Sequence, residues 1–121
     1  MFLMPMIYGC ESTPRPAERP ALITHIVLVD LKNASERADM LADADEKLAT
    51  IPGVVSYAAG SHFDTGRATV LDDYDAAIVL GFDDREALER YVDHPDHKAF
   101  VQRWSPRLDT LRVRDVIDPT E

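Results

Sequence analysis

Two histidines and a tyrosine lie within one seven-residue stretch of the chain. The stretch reads YVDHPDH over residues 91–97, and it contains Tyr91, His94 and His97, two of the four histidines in the chain. A histidine gains and loses a proton near neutral pH, and a tyrosine hydroxyl can donate a hydrogen bond to a developing oxyanion. We therefore interpret this stretch as a candidate for acid–base chemistry.

The same stretch has two other interpretations. A metal site would use His94, His97 and a neighbouring carboxylate such as Asp96. Pro95 breaks the helical register that would align such ligands, so we predict no metal ion here. In the structural interpretation, Tyr91 packs in the core, and the His94–Pro95 step forms the turn that ends a helix, because a residue before proline is disfavoured in the helical conformation.

The composition is that of a single acidic domain. The chain has 121 residues, of which 45% are hydrophobic and 29% charged, and its formal net charge is −9. This length is enough for one hydrophobic core. Binding to nucleic acid depends on clustered lysine and arginine, and the 13 basic residues here are scattered. We therefore predict no nucleic-acid partner.

The first 20 residues are predicted to be a tail ahead of a domain over residues 21–118. A single cysteine, Cys10, excludes an internal disulfide. It ends the sequence IYGC, which resembles the end of a bacterial lipoprotein signal, and a proline-rich tether follows it. However, residues 1–9 carry no basic residue and are short for a signal peptide. Two interpretations stay open: a Cys10-lipidated protein of the cell envelope whose true start lies upstream, or a cytoplasmic protein with a loose tail.

The hydrophobic patterns predict four strands and three helical segments. The strands are expected at residues 22–31, 54–63, 74–82 and 111–117, and the helices at 33–51, 85–92 and 96–106. The order is β-α-β-β-α-β with a split second helix, which is typical of an α+β, ferredoxin-like fold with an antiparallel sheet. This connectivity places the first and third strands at the centre, and both have apolar residues on both faces.

Capping residues and helical spacing predict how the helices pack. Asn33 is expected to cap the first helix, with Glu36 as its reciprocal partner. The apolar stripe of this helix should face the core and its acidic residues should face water; the acidic set is Glu36, Asp39, Asp43 and Glu46. Phe100 and Trp104 are predicted to be core residues of the last helix.

The apolar residues on both faces of the first strand predict that another protein surface covers the helix-free face of the sheet. Both helices of this connectivity cover the same face, yet Leu22, Ile26 and Leu28 make the opposite face apolar as well. A second copy of the chain packed face to face would bury these side chains. We therefore predict a homodimer.

Several segments, in order, resemble the Dabb family, the stress-responsive dimeric α/β-barrel domains. They are THIVL at residues 24–28, IPGV at 51–54, Gly60, YD at 74–75, and YVDHPDH at 91–97. The resemblance runs over residues 22–116. It implies a ferredoxin-like subunit and a dimer whose two sheets form a barrel. Most members have no settled activity, some plant members look like stress-induced proteins, and one type is a polyketide cyclase.

The resemblance to the cyclase type implies three catalytic candidates. By position they are Tyr91, His97 and His25, with His97 as the base and Tyr91 as the donor to the oxyanion. His25 would orient the other groups or bind a substrate carboxylate, and His94 is a candidate substrate-binding residue. Such a reaction needs no cofactor. In the structural alternative, His25 is a core histidine among β-branched neighbours.

The sequence thus predicts a stress-responsive dimeric domain that binds a small apolar molecule. The alternative is a cofactor-free, cyclase- or isomerase-like enzyme acting on a carbonyl compound. A single accessible cavity of about 300 Å³ or more, lined by His25, Tyr91 and His97, would favour the enzyme. A membrane partner is expected only if Cys10 is lipidated.

Overall fold

The computed structural model describes residues 13–120, and Cys10 therefore lies outside the described residues. The strands are β1 (Ile23–Leu31), β2 (Val54–Ser61), β3 (Ala76–Phe82) and β4 (Leu108–Ile117). The helices are α1 (Arg37–Lys47), α2 (Arg85–Asp93) and α3 (Pro95–Trp104), with 3-10 turns at Ala34–Glu36 and Ser105–Arg107. The predicted β-α-β-β-α-β order with a split second helix is confirmed.

All four strands form one antiparallel sheet. Its order is β2-β3-β1-β4, so β1 and β3 are central, as the sequence predicts. His25 lies opposite Leu80 of β3 and opposite Asp115 of β4. Because residues directly opposite each other in a sheet point to the same face, this register determines which side chains can meet His25.

The core lies between the sheet and the three helices. On β3, alternate residues are buried beneath the helices: Ala76, Ile78, Leu80 and Phe82. Phe100 and Trp104 of α3 are buried, as predicted, and so is Tyr91 of α2. Side chains alternate across a strand, so His25 lies on this helix-covered face together with Val27 and Val29.

Several predicted boundaries differ from the structure. Strand β2 ends at Ser61 rather than 63, and β3 begins at Ala76 rather than 74. The residue before β3, Asp75, bonds the end of β1 through its side chain, because its carboxylate accepts from the Leu31 amide at 2.8 Å. Strand β4 begins at Leu108 rather than 111, directly after a 3-10 turn.

The predicted reciprocal cap at the first helix is half right. The Asn33 carboxamide accepts a hydrogen bond from the Ser35 amide at 3.1 Å, so Asn33 does cap the chain entering the helix. The Glu36 carboxylate does not return to Asn33, because it is bonded to the Arg107 guanidinium.

The prediction that Asp43 faces water is wrong. Its side chain is only 6% exposed, and its carboxylate accepts a hydrogen bond from Trp104 Nε1 at 2.8 Å. Lys47 and Arg103 lie 3.2 and 3.3 Å from the same carboxylate. Burial raises the pKa of Asp43, but the Trp104 hydrogen bond and the Lys47 and Arg103 cations outweigh it, so the net shift is downward. A buried indole N–H requires an acceptor, which explains why α1 places a carboxylate here.

The face of the sheet without helices is partly apolar. Ile26 and Leu28 of β1 and Val79 of β3 lie on it and are only half-buried. Arg112 and Arg114 of β4 share this face. No helix within residues 13–120 is both long and apolar enough to cross a membrane.

Candidate functional site

Three of the predicted site residues meet beneath the helices, although they come from separate elements. Tyr91 lies in the last turn of α2, His97 in the first turn of α3, and His25 on β1. The ring centroids of Tyr91 and His97 are 4.7 Å apart, and those of Tyr91 and His25 are 6.0 Å apart. The predicted catalytic candidates therefore form one cluster around Tyr91.

The break between α2 and α3 brings Tyr91 and His97 together. His94 has an extended backbone, with ψ at 140°, and its amide donates to the Tyr91 carbonyl at 3.1 Å. Pro95 then starts α3, one residue earlier than predicted, because its fixed φ suits the first helical position. The helix is therefore interrupted between Tyr91 and His97, and the two rings lie against each other across this break.

His94 does not join the cluster. Its Nδ1 accepts a hydrogen bond from the Asp96 amide at 3.1 Å and caps the N-terminus of α3. It is not among the residues that line the cavity described below. The geometry matches the turn interpretation of His94, while its part in substrate binding stays a prediction.

The tautomer of His97 follows from its hydrogen bond. Its Nδ1 lies 2.9 Å from the Val92 carbonyl oxygen. A carbonyl only accepts, so Nδ1 carries the hydrogen, and Nε2 of the neutral ring has a free lone pair. The ring is half-buried, and this burial lowers the pKa of His97; the Val92 hydrogen bond opposes the shift and the nearby His25 adds to it. His97 is therefore suited to accept a proton at neutral pH.

We expect His97 to titrate below the usual histidine value of about 6.5, because burial disfavours its charged form. The unfolded chain then binds the proton more tightly than the folded one. His97 therefore contributes stability that is complete above about pH 6.5 and is lost as the pH falls toward the folded-state pKa. Histidine NMR titration gives the pKa, and pH-dependent denaturation of wild type and His97→Gln gives the linkage. A His97 pKa above the usual value would contradict this assignment.

Tyr91 supplies a neutral hydroxyl group. The residue is only 1% exposed, its ring packs 5.1 Å from that of Phe82, and burial raises the pKa of its hydroxyl. The phenol therefore keeps its proton across the biological range of pH. It is the natural hydrogen-bond donor of the cluster.

His25 is held by a carboxylate that sequence reasoning missed. Its Nδ1 lies 2.5 Å from the Asp115 carboxylate, which comes from the opposite position on β4. A carboxylate fixes a histidine tautomer in the same way as a carbonyl, so His25 Nδ1 carries a hydrogen as well. The sequence shows only that Asp115 lies two residues after Val113, so the two side chains share one face of β4. The register between β1 and β4 is needed to show that Asp115 lies opposite His25.

A cavity of about 110 Å³ opens beside the cluster. His25, Tyr91 and His97 lie in its wall, and the rest is mainly apolar, including Phe100, Trp104 and side chains of β1 and β4. Val101, Leu111 and Val113, which are 42%, 55% and 40% exposed, also line it and mark its open side.

The cavity is smaller than the volume that we expected for an enzyme of the cyclase type. Drug-sized ligands occupy pockets of about 300 Å³ or more, whereas an apolar cavity of about 150 Å³ takes up benzene. The cavity of about 110 Å³ is somewhat smaller than the one that encloses benzene, so a molecule of about six or seven non-hydrogen atoms fits when part of it extends into the open side lined by Val101, Leu111 and Val113. Within residues 13–120, no group of three His, Cys, Asp or Glu side chains is arranged to hold a metal ion.

Comparison with known proteins supplies a family. The model of the Dabb family, the stress responsive A/B barrel domain, matches residues 23–118. A Dabb family protein with a ferredoxin-like fold from Mesorhizobium loti is 33% identical, with a TM-score of 0.69 over 81% of this chain and 97% of that chain. A dimeric ferredoxin-like protein of unknown function from Thermobifida fusca is 27% identical, with a TM-score of 0.66 over 79% of this chain and 90% of that chain.

One enzyme of known structure shares the fold at a lower sequence identity to this chain. The hydroxynitrile lyase of Passiflora edulis is 17% identical, with a TM-score of 0.69 over 84% of this chain and 98% of that chain. At this identity the likeness shows the fold alone. Among proteins with curated descriptions, none matches the chain.

Proposed function

The chain belongs to the Dabb family of stress responsive A/B barrel domains, and from this premise we propose that it is a homodimeric protein whose subunits each bind a small, mainly apolar molecule. The site is the cavity lined by His25, Tyr91 and His97. Its apolar wall takes up the body of the ligand, and the three polar side chains orient one polar group.

One observation carries the proposal. Side chains able to donate and accept hydrogen bonds arrive from β1, α2 and α3 at one cavity whose remaining wall is mainly apolar. Apolar cavities with a few convergent polar groups are the usual form of small-molecule sites. A purely structural core would instead fill the space beside Tyr91 with aliphatic side chains.

The homodimer is supported by the helix-free face. Ile26, Leu28 and Val79 lie there only half-buried in the single subunit, and burying such side chains favours association. The similar protein from Thermobifida fusca is described as dimeric. In the proposed dimer the helix-free faces of two subunits pack together, and the two cavities lie on the outer, helical sides.

Mass spectrometry of co-purifying small molecules tests the binding function. The wild type is expected to carry at least one organic compound that a His97→Ala, Tyr91→Phe double variant lacks. His62→Gln is the matched control, because it changes a histidine that does not line the cavity. The same compounds in all three preparations would contradict binding at this site.

A second candidate is cofactor-free proton transfer on a small carbonyl compound, as a cyclase- or isomerase-like enzyme performs. It is favoured by the lowered pKa of His97 together with its free Nε2. His97 Nε2 would take the proton from the carbon next to a carbonyl, and the Tyr91 hydroxyl would donate to the enolate oxygen that forms. His25, held by Asp115, would orient the substrate.

Deuterium exchange separates this candidate from simple binding. With pentane-2,4-dione in D₂O, an enzyme should exchange the proton between the two carbonyls at least about ten-fold faster than free imidazole at equal concentration, since positioned bases contribute about 100-fold or more. The His97→Gln variant should lose this excess. Equal rates for wild type and variant would remove the catalytic candidate and leave the binding proposal standing.

A further inference from the structure

The polar end of the cavity presents more free acceptors than donors. His97 Nδ1 is bonded to the Val92 carbonyl and His25 Nδ1 to the Asp115 carboxylate. Each of these partners only accepts, so in each neutral ring Nε2 is left with a lone pair. Among residues 13–120, the side-chain hydrogen bonds of both rings are made by Nδ1, and neither Nε2 is bonded to a protein atom. Tyr91 adds one hydroxyl, which donates once and also accepts.

The charge around the cavity disfavours an anionic ligand. No lysine or arginine is found among the described residues that line it. At its polar end the Asp115 carboxylate lies 2.5 Å from His25 Nδ1 and adds a negative charge. A carboxylate ligand would therefore lose its hydration without a cation to compensate it, because any positive charge on His25 is already paired with Asp115.

A hydroxyl group matches this set of donors and acceptors. Its hydrogen can be donated to Nε2 of His97 or His25, while its oxygen accepts from the Tyr91 hydroxyl. A hydrocarbon of the same shape would leave these polar atoms unpaired inside an apolar cavity. A carbonyl oxygen would satisfy Tyr91 but neither imidazole.

We propose that the cavity selects uncharged molecules of about six or seven non-hydrogen atoms that carry a hydroxyl group, namely phenols, enols and short alcohols. This inference rests on the proposed binding function and adds the chemical class of its ligand. A site built to bond a hydroxyl discriminates strongly against the analogue that lacks it, because the buried polar groups of the site are then left unpaired.

Calorimetric titration of the full chain with three probes tests the selectivity. Toluene replaces the hydroxyl of phenol by a methyl group at the same size, and butyrate offers a carboxylate on a short apolar chain. We expect phenol to bind at least about ten-fold more tightly than toluene, and butyrate to bind more weakly than both.

Two variants test which side chains cause the preference for phenol over toluene. Tyr91→Phe removes only the hydroxyl and should bring the affinity for phenol toward that for toluene. His97→Gln should also weaken phenol binding, whereas His62→Gln, which changes a histidine outside the cavity, should leave all affinities unchanged.

The possible outcomes distinguish the selectivity for a hydroxyl group from the proposed binding of small apolar molecules. Equal binding of phenol and toluene would overturn the selectivity while the proposed binding of small apolar molecules stands. Preferred binding of butyrate would overturn it as well. Binding of none of the three probes would overturn both proposals.

Discussion

Replacement of Asp43 by alanine is expected to lower the free energy of unfolding by about 3 kcal/mol. The change removes the acceptor of the buried Trp104 N–H, which lies 2.8 Å from the carboxylate, and it leaves Lys47 and Arg103 without their shared anion. Urea denaturation followed by Trp104 fluorescence, the signal of the only tryptophan in the chain, measures the effect.

Two variants control this experiment. Asp43→Asn keeps an acceptor for the indole and loses only the charge, so its cost should be clearly smaller. Glu46→Ala removes an exposed acid from the same helix and should change stability by no more than about 0.5 kcal/mol. Since the pKa of Asp43 is lowered in the folded state, the difference from wild type should be present near neutral pH and fade as the pH falls through the folded-state value. If Asp43→Ala were as mild as Glu46→Ala, the buried role of Asp43 would be wrong.

Replacement of Val79 by aspartate is expected to convert the dimer to a monomer at micromolar concentration. Val79 lies on the helix-free face of the central strand β3. An unpaired carboxylate buried there by association would cost about 4 kcal/mol or more, which corresponds to an approximately thousand-fold weaker dimer. Sedimentation equilibrium of wild type and variant measures the change.

The matched control is Val92→Asp, which puts the same charge on the helical side, where Val92 is 43% exposed. This variant should remain a dimer. Circular dichroism establishes that each variant is folded before its mass is interpreted. A monomeric wild type, or a Val79→Asp variant that dimerises as well as Val92→Asp, would contradict the proposed interface.

The fold could be predicted because local patterns agreed with one another. The first and third strands are apolar on both sides, which predicts central positions, and the structure confirms them. The helix break at His94 follows from the restriction that Pro95 places on the preceding residue. Such features depend only on neighbours in sequence.

The site was less predictable because it depends on contacts between distant segments. Asp115 meets His25 across 90 positions of sequence, through a register that neither strand specifies alone. The acids around Asp43 on α1 predict that its side chain faces water, and only the position of α3 shows that the Trp104 N–H bonds its carboxylate. The residue types of the YVDHPDH stretch indicate Tyr91 and His97, and the family resemblance adds His25 and the separate roles. The hydrogen bonds of the structure then give the tautomers of both histidines.

A crystal structure of the protein grown with phenol tests the ligand site most directly. We expect an aromatic ring in the cavity, with its hydroxyl oxygen about 2.6–3.2 Å from the Tyr91 hydroxyl oxygen and from Nε2 of His97 or His25. An empty cavity at saturating phenol, or phenol bound only elsewhere on the molecule, would contradict it.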